Sequence, residues 1–140
     1  MNLRDSAIEE MKDWLVAENT DLGFAVIKRT PTMPASSFPA IFIHEGDDRI
    51  VKTSTRHWHD YPVERVVEVI FEIWDYAEAN TDIRTHYDNV RNVLLTNKLS
   101  NSCKLKELRA YGPFNGGAHG AIAMQLVMSL SYTDNGPAFQ

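Results

Sequence analysis

Apolar residues fall at every second position from Ala121 to Tyr132: Ile122, Met124, Leu126, Met128, Leu130 and Tyr132. A period of two predicts a β-strand with all six side chains on one buried face. The intervening Ala121, Ala123, Gln125, Val127, Ser129 and Ser131 are small or polar, so the other face is expected to meet water, a loop or another subunit rather than a thick core. At a rise of roughly 3.3 Å per residue the segment extends about 40 Å, well beyond the roughly 17–20 Å of an ordinary strand. It is therefore expected either to bend at a bulge or to protrude beyond its own subunit.

A second long strand is predicted from Val63 to Trp74, where Val63, Val67, Val69, Phe71 and Ile73 share a side interrupted by Arg65. Its opposite side mixes Glu64, Glu68 and Glu72 with Val66, Ile70 and Trp74. Shorter strands are predicted at Phe24 to Lys28, at Phe38 to His44 in an edge or near-edge position with Pro39 at its start, and at Leu105 to Tyr111. Two helices alternate with them. From Asp5 to Glu18, Ile8, Met11 and Leu15 form a stripe behind a Ser6–Glu9 capping box. From Thr81 to Leu99, Ile83, Tyr87, Val90 and Leu94 form another, with Asn80 or Thr81 as cap.

The segment Glu45 to Tyr61 keeps neither period and is expected to be a long loop or partial hairpin. Gly112 to Gly120 is expected to be the loop of a closing antiparallel hairpin. The predicted order is α-β-β-β-α-β-β. This is an α+β fold: a predominantly antiparallel or mixed sheet of about five strands with both helices on one face.

The length, 140 residues, suits a single domain spanning residues 1–140. Cys103 is the lone cysteine, so no intrachain disulfide is possible; a reducing compartment and a packing role for the thiol are expected. The opening MNLRDSAIEE lacks the apolar core of a signal peptide, and no apolar run has the length of a membrane span. A formal net charge of −5 disfavours a general DNA-coating role, which needs clustered lysine and arginine.

Three clusters invite a chemical interpretation. His57 and His59, with Asp60 beside them, would lie on one side of an extended chain with Cα atoms roughly 6–7 Å apart, close enough to share a metal ion, and His44 or His86 could complete the set. No second ligand pair occurs at a recognised spacing, so a solvated or interface-packed HWHDY segment is the better account. Glu64, Glu68 and Glu72 follow one another at about 13 Å along a strand, outside the roughly 5–9.5 Å of paired catalytic carboxylates. An exposed acidic face explains them more simply. Gly116, Gly117 and Gly120 precede a strand rather than a helix N-terminus, so a hairpin loop is preferred to a phosphate cradle. No nucleophile elbow, zincin, Walker or C-x-x-C motif occurs. The expectation is a non-enzyme with no cofactor and no metal.

The segment S-F-P-A-I-F-I at Ser37 to Ile43, after an N-terminal helix and a proline-bearing loop, resembles the corresponding region of phage tail terminator proteins of the minor tail protein U type. Arg65 to Trp74 (RVVEVIFEIW) is similar to the long middle strand of that family, Thr81 to Leu99 to its second helix, and Leu105 to Tyr132 to its closing strands. The resemblance covers nearly the whole chain as an order of elements. It implies a structural virion protein in the tail or neck, assembled in the host cytoplasm as a homo-oligomeric ring, typically a hexamer. Such a ring caps the head-proximal end of the tail tube, stops tube polymerisation and offers a docking surface to the head–tail connector. Tail tube protein and connector are its implied partners; genomic DNA passes through without sequence-specific binding, and no membrane is involved.

Under that resemblance Trp58, Tyr61, Phe114 and His119 are candidate interface residues, and Glu64, Glu68 and Glu72 a candidate channel-facing acidic strand face. Three alternatives stand beside it. One is another neck, tail-completion or head-closure protein. The others are a metal-dependent hydrolase using His57, His59 and Asp60, and a cellular α+β domain with an apolar ligand pocket.

Overall fold

The computed structural model describes residues 2–29, 38–53, 62–77, 80–115 and 120–135. Within them the order is α1 (Leu3–Ala17), α2 (Asn19–Leu22), β1 (Val26–Lys28), β2 (Ala40–Thr53), β3 (Val63–Tyr76), α3 (Asn80–Thr96), β4 (Lys104–Asn115) and β5 (Ala121–Asp134). The strands form one sheet in the order β1-β2-β3-β5-β4. β1 runs parallel to β2, and every other neighbouring pair is antiparallel. The α+β class and mixed five-strand sheet expected from the sequence are therefore present, with the short α2 added.

α1 and α3 both lie on one face. The helix-facing residues of β3 (Val67, Val69, Phe71, Ile73) and β5 (Ile122, Met124, Leu126, Met128, Leu130) pack against Ile8, Met11 and Leu15 of α1 and Ile83, Val90 and Leu94 of α3. These are the residues the two periodicities single out, because a strand with period two and a helix with period 3.6 each gather their apolar side chains on one side. Cys103 is buried in the same core, and burial pushes its thiol pKa up, which suits packing rather than nucleophilic chemistry.

α1 starts two residues earlier than its sequence signals suggest. The Asn2 side chain accepts a hydrogen bond from the Asp5 backbone N–H at 2.8 Å and caps the helix, so Ser6 lies inside it and the Ser6–Glu9 capping box does not form the N-terminus. The α1–α2 unit ends at Gly23, whose φ of +77° is the left-handed conformation that glycine accepts without steric cost. α3 begins at Asn80, and the capping position ahead of it lies outside the described residues.

Ion pairs fasten the helices to the sheet. Arg29, just after β1, meets Asp5 and Glu9 of α1 at 2.6 and 3.2 Å, and Arg4 meets Glu45 and Asp48 of β2 at 3.0 and 2.9 Å. Tyr132 donates its hydroxyl to the same Asp48 at 2.6 Å. At the other side of the molecule Tyr87 and Arg91 of α3 donate to Glu107 of β4 at 2.8 and 2.9 Å. Burial and that bond push the Tyr87 pKa up to about 12. Burial also pushes the Glu107 pKa up, but the two donors outweigh it and hold the carboxyl below its ordinary value.

Three expectations are resolved. Of the long loop or partial hairpin expected at Glu45 to Tyr61, the described part is hairpin and not loop: β2 continues through Thr53, paired with β3, and residues 54–61 lie outside the described residues. Two register shifts, between Glu45 and Asp48 and between Ile50 and Lys52, erase the period of two that would have announced it. Likewise β4 runs on to Asn115 through a register shift between Tyr111 and Phe114, so the Gly112 to Gly120 segment begins as strand. Finally, β5 neither bends against β3 nor protrudes. It pairs in unbroken register with β3 from Ala121 to Asp134 and is flanked on its other side by β4, which places it inside the sheet.

Candidate functional site

The face of the sheet turned away from the helices is where the sequence placed the acidic strand face and one of the candidate anchors. Strand alternation and register put Phe42 and His44 of β2, Glu64, Glu68, Glu72 and Trp74 of β3, Ala123, Gln125, Val127 and Ser129 of β5, and Arg109, Tyr111 and Phe114 of β4 on this side. It divides into three zones along the strands.

At one end is an aromatic cluster. The Phe38 and Trp74 rings are nearly parallel at 6.4 Å, while Tyr76 stands edge-on to Phe38 at 5.2 Å and Phe114 edge-on to Trp74 at 6.3 Å. Ala40, Phe42, Ala121 and Ala123 form its buried floor. The small residues of β5 thus sit beneath aromatic rings of its neighbours. Tyr76 and Phe114 remain partly exposed, at 49% and 39%.

In the middle, Glu72 is held from three strands. His44 Nε2 lies 2.8 Å from one carboxylate oxygen, which also accepts from Gln125 Nε2 at 3.1 Å, and the other oxygen accepts from Trp74 Nε1 at 3.1 Å. The hydrogen bond with His44 is the main reason the Glu72 pKa is lowered; burial opposes it, and Trp74 and Gln125 reinforce it.

Further along, Arg109 of β4 donates to both oxygens of Glu68 at 3.0 and 3.1 Å and to the Tyr111 hydroxyl at 2.7 Å. Because β5 lies between β3 and β4, this bridge arches over it. Glu68 is level with Ser129 and Arg109 with Val127, which are 5% and 1% exposed. The polar side of β5, expected to meet water or another subunit, is therefore covered by its own chain.

Only Glu64 is exposed among the three carboxylates. The same side carries exposed Lys28, Arg49, Lys52, Lys104, Lys106 and Arg109, so the acidity read from β3 alone does not describe the face as a whole. The lysines and arginines belong to other strands, and only the register brings them alongside.

Among the other candidates, Phe114 lies at the exposed rim of the aromatic cluster, while Trp58, Tyr61, His119 and the His57–His59–Asp60 group lie outside the described residues. His44 and His86, named as possible completing ligands, are on opposite sides of the sheet, and each has a carboxylate of its own: Glu72 for His44, and Asp75 at 3.0 Å for His86. The described residues contain no group of three or more histidine, cysteine, aspartate or glutamate side chains arranged to hold a metal ion. No described helix is long and apolar enough to cross a membrane. Sequence reasoning missed Phe38, Tyr76 and the Glu68–Arg109 bridge; the one available signal was the aromatic spacing Trp74-x-Tyr76 beside a proline-flanked Phe38.

No family model and no curated protein matches this chain. A chain from the solved virion of a native gene transfer agent (GTA) particle is similar to it in fold, with a TM-score of 0.58 over 91% of this chain and 92% of that chain, at 16% sequence identity. What is shared at that identity is the arrangement of helices and sheet.

Proposed function

We propose that the protein is a structural virion component, a tail terminator whose copies close into a hexameric ring on the head-proximal end of the tail tube. The single observation that carries this reading is a shared fold over more than nine-tenths of both chains with a component of a virion particle. The terminator assignment within that class rests on the resemblance of Ser37 to Ile43, Arg65 to Trp74 and Leu105 to Tyr132 to that family.

In this reading the protein works by contact and not by catalysis, in the tail or neck. Its partners are its own copies, the tail tube protein below and the head–tail connector above. The helix-free face is proposed to line the channel, with Glu64, Glu68 and Glu72 toward the passing DNA. Glu68 and Glu72 present charge already matched by Arg109 and by the His44, Trp74 and Gln125 donors. Trp58, Tyr61, Phe114 and His119 are proposed to meet neighbouring proteins, since aromatic side chains anchor interfaces well. A terminator must bind the last tube ring while withholding the surface that would recruit another.

Adding the protein to growing tubes of its own phage tests this. Tubes of fixed length with a ring at one end support a terminator; tubes that grow on unchanged, with the protein found next to the head in imaged particles, indicate a head-closure or neck component instead. Bound metal in the purified protein, lost together with function in a His57→Ala, His59→Ala variant, would favour the hydrolase alternative.

A further inference from the structure

Charge is unevenly placed on this molecule. The chain carries a formal net charge of −5, yet one end of the helix-free face is basic. Strand register puts Arg49 and Lys52 of β2 and Lys104, Lys106 and Arg109 of β4 on that face, all of them exposed. The carboxylates nearest to them in register are Glu64 and Glu68, with Asp47 in the β2 bulge. Glu68 is already bridged to Arg109, so Arg49, Lys52, Lys104 and Lys106 are left with no ion pair among the described residues.

These cations stand in two rows. β2 and β4 are separated by β3 and β5, which at about 4.8 Å per strand sets the rows roughly 14 Å apart. Arg49, Val66, Ser131 and Lys104 lie in one line across the sheet, and Lys52 and Lys106 are each one alternation further along their strands, roughly 7 Å on. The floor between the rows is Val66, Ser131 and Thr133, short side chains of which two carry hydroxyls able to donate to phosphate oxygens. Two rows of positive charge flanking a short polar floor fit the two backbones of a duplex, whose major groove is about 12 Å wide. A single strand would ask for aromatic platforms beside one row, and the aromatic cluster of Phe38, Trp74, Tyr76 and Phe114 lies at the other end of the face. An acidic protein would ask for a large apolar or aromatic anchor among the charges, and the floor between Arg49 and Lys104 has none.

We propose that this basic end of the helix-free face binds the phosphate backbones of double-stranded DNA, with Arg49 and Lys52 on one strand and Lys104 and Lys106 on the other, and without reading base sequence. The net charge of the whole chain hides such a surface because the balancing carboxylates lie elsewhere. The contact is electrostatic and releases counterions, so four neutralised phosphates predict a loss of about 100-fold in affinity between 50 and 200 mM salt. The proposal stands on the placement of charge and requires neither a ring nor a terminator role.

The test titrates the full chain into a fluorescently labelled duplex of mixed sequence and follows anisotropy at about 50 mM salt, then at rising salt. Wild-type protein is expected to bind with a Kd of about 10 μM or tighter and to show the salt dependence given above. Two double variants at exposed positions, Arg49→Glu with Lys52→Glu and Lys104→Glu with Lys106→Glu, are each expected to lose tenfold or more, circular dichroism verifying that they are folded. A control with the same change of net charge, Arg84→Glu with Lys98→Glu at exposed positions of α3 and just beyond it, is expected to stay within about threefold of wild type, since salt screens distant charges. Wild-type protein that leaves the duplex free, or a control that loses as much as the face variants, would overturn the proposal. So would tighter binding of a single strand of the same length, or of polyglutamate at equal charge, the latter giving the face to an acidic protein. Wild-type protein that binds no duplex yet stops tubes at fixed length sinks this contact alone; duplex binding by a protein that leaves tubes growing sinks the terminator reading alone.

Discussion

His44 and Glu72 face one another across the β2–β3 ladder, Nε2 to Oε2 2.8 Å apart, on the side of the sheet that the helices leave uncovered. They are diagonal neighbours, offset by two residues along the ladder, since Phe42 is level with Glu72 and His44 with Ile70. On its other side Glu72 is directly level with Gln125 of β5, which donates to the same oxygen.

A pH dependence follows with a definite sign. The folded-state pKa of Glu72 is lowered from its ordinary 4.5, so the stability it contributes is fully present above that value and is lost as pH falls through the lower folded value. Urea midpoints measured from about pH 5 down to about pH 3 are expected to fall more steeply for wild type than for Glu72→Gln, whose side chain does not titrate. Parallel curves would mean that the carboxylate has no such partners in solution.

Phe71 lies at the centre of the helix-facing side of β3 and is fully buried. Phe71→Ala is expected to destabilise the fold by about 3–5 kcal/mol, from lost transfer energy and the cavity left behind. Chemical denaturation measures it; a loss under about 1 kcal/mol would contradict burial between sheet and helices.

Gly112 has φ +100°, and a Cβ there would come within 2.9 Å of the Ala123 carbonyl oxygen and 3.0 Å of the Phe114 ring. Gly112→Ala is therefore expected to cost about 1–3 kcal/mol and to disturb the adjacent Phe114. Near-ultraviolet circular dichroism of the Trp74–Phe114 pair, alongside a melting curve, reports both effects. An unchanged spectrum and melting temperature would show that the turn relaxes around a side chain.

Phe114 and Tyr76 rim the aromatic cluster, 39% and 49% exposed, so each offers a partner the part of its ring that the cluster leaves uncovered. Phe114→Ala and Tyr76→Ala are expected to stay folded and yet impair joining of heads to tails, by tenfold or more for an anchor worth about 1.4 kcal/mol or above. Normal yields of joined particles from both variants would show that this rim touches no partner.

What the sequence determined by itself is the layer structure. Alternation in Ile122 to Tyr132 and in Val63 to Ile73, and the stripes Ile8–Met11–Leu15 and Ile83–Val90–Leu94, each commit one side of one element to burial, and this local periodicity depends on no distant residue. Tertiary structure decided everything that depends on which strand lies beside which. β5 reads as an overlong strand with a bare polar side, yet β3 and β4 close on both its edges, and the Glu68–Arg109 bridge and the Trp74–Phe114 pair roof it over. β2 loses its period at Glu45 because a bulge shifts the alternation, and pairing with β3 nevertheless carries it to Thr53. Glu64, Glu68 and Glu72 look like a bare acidic row because their cationic and hydrogen-bonding partners stand on strands distant in sequence. A side chain's neighbours along a strand are written in the chain, whereas its neighbours across the sheet are set by register.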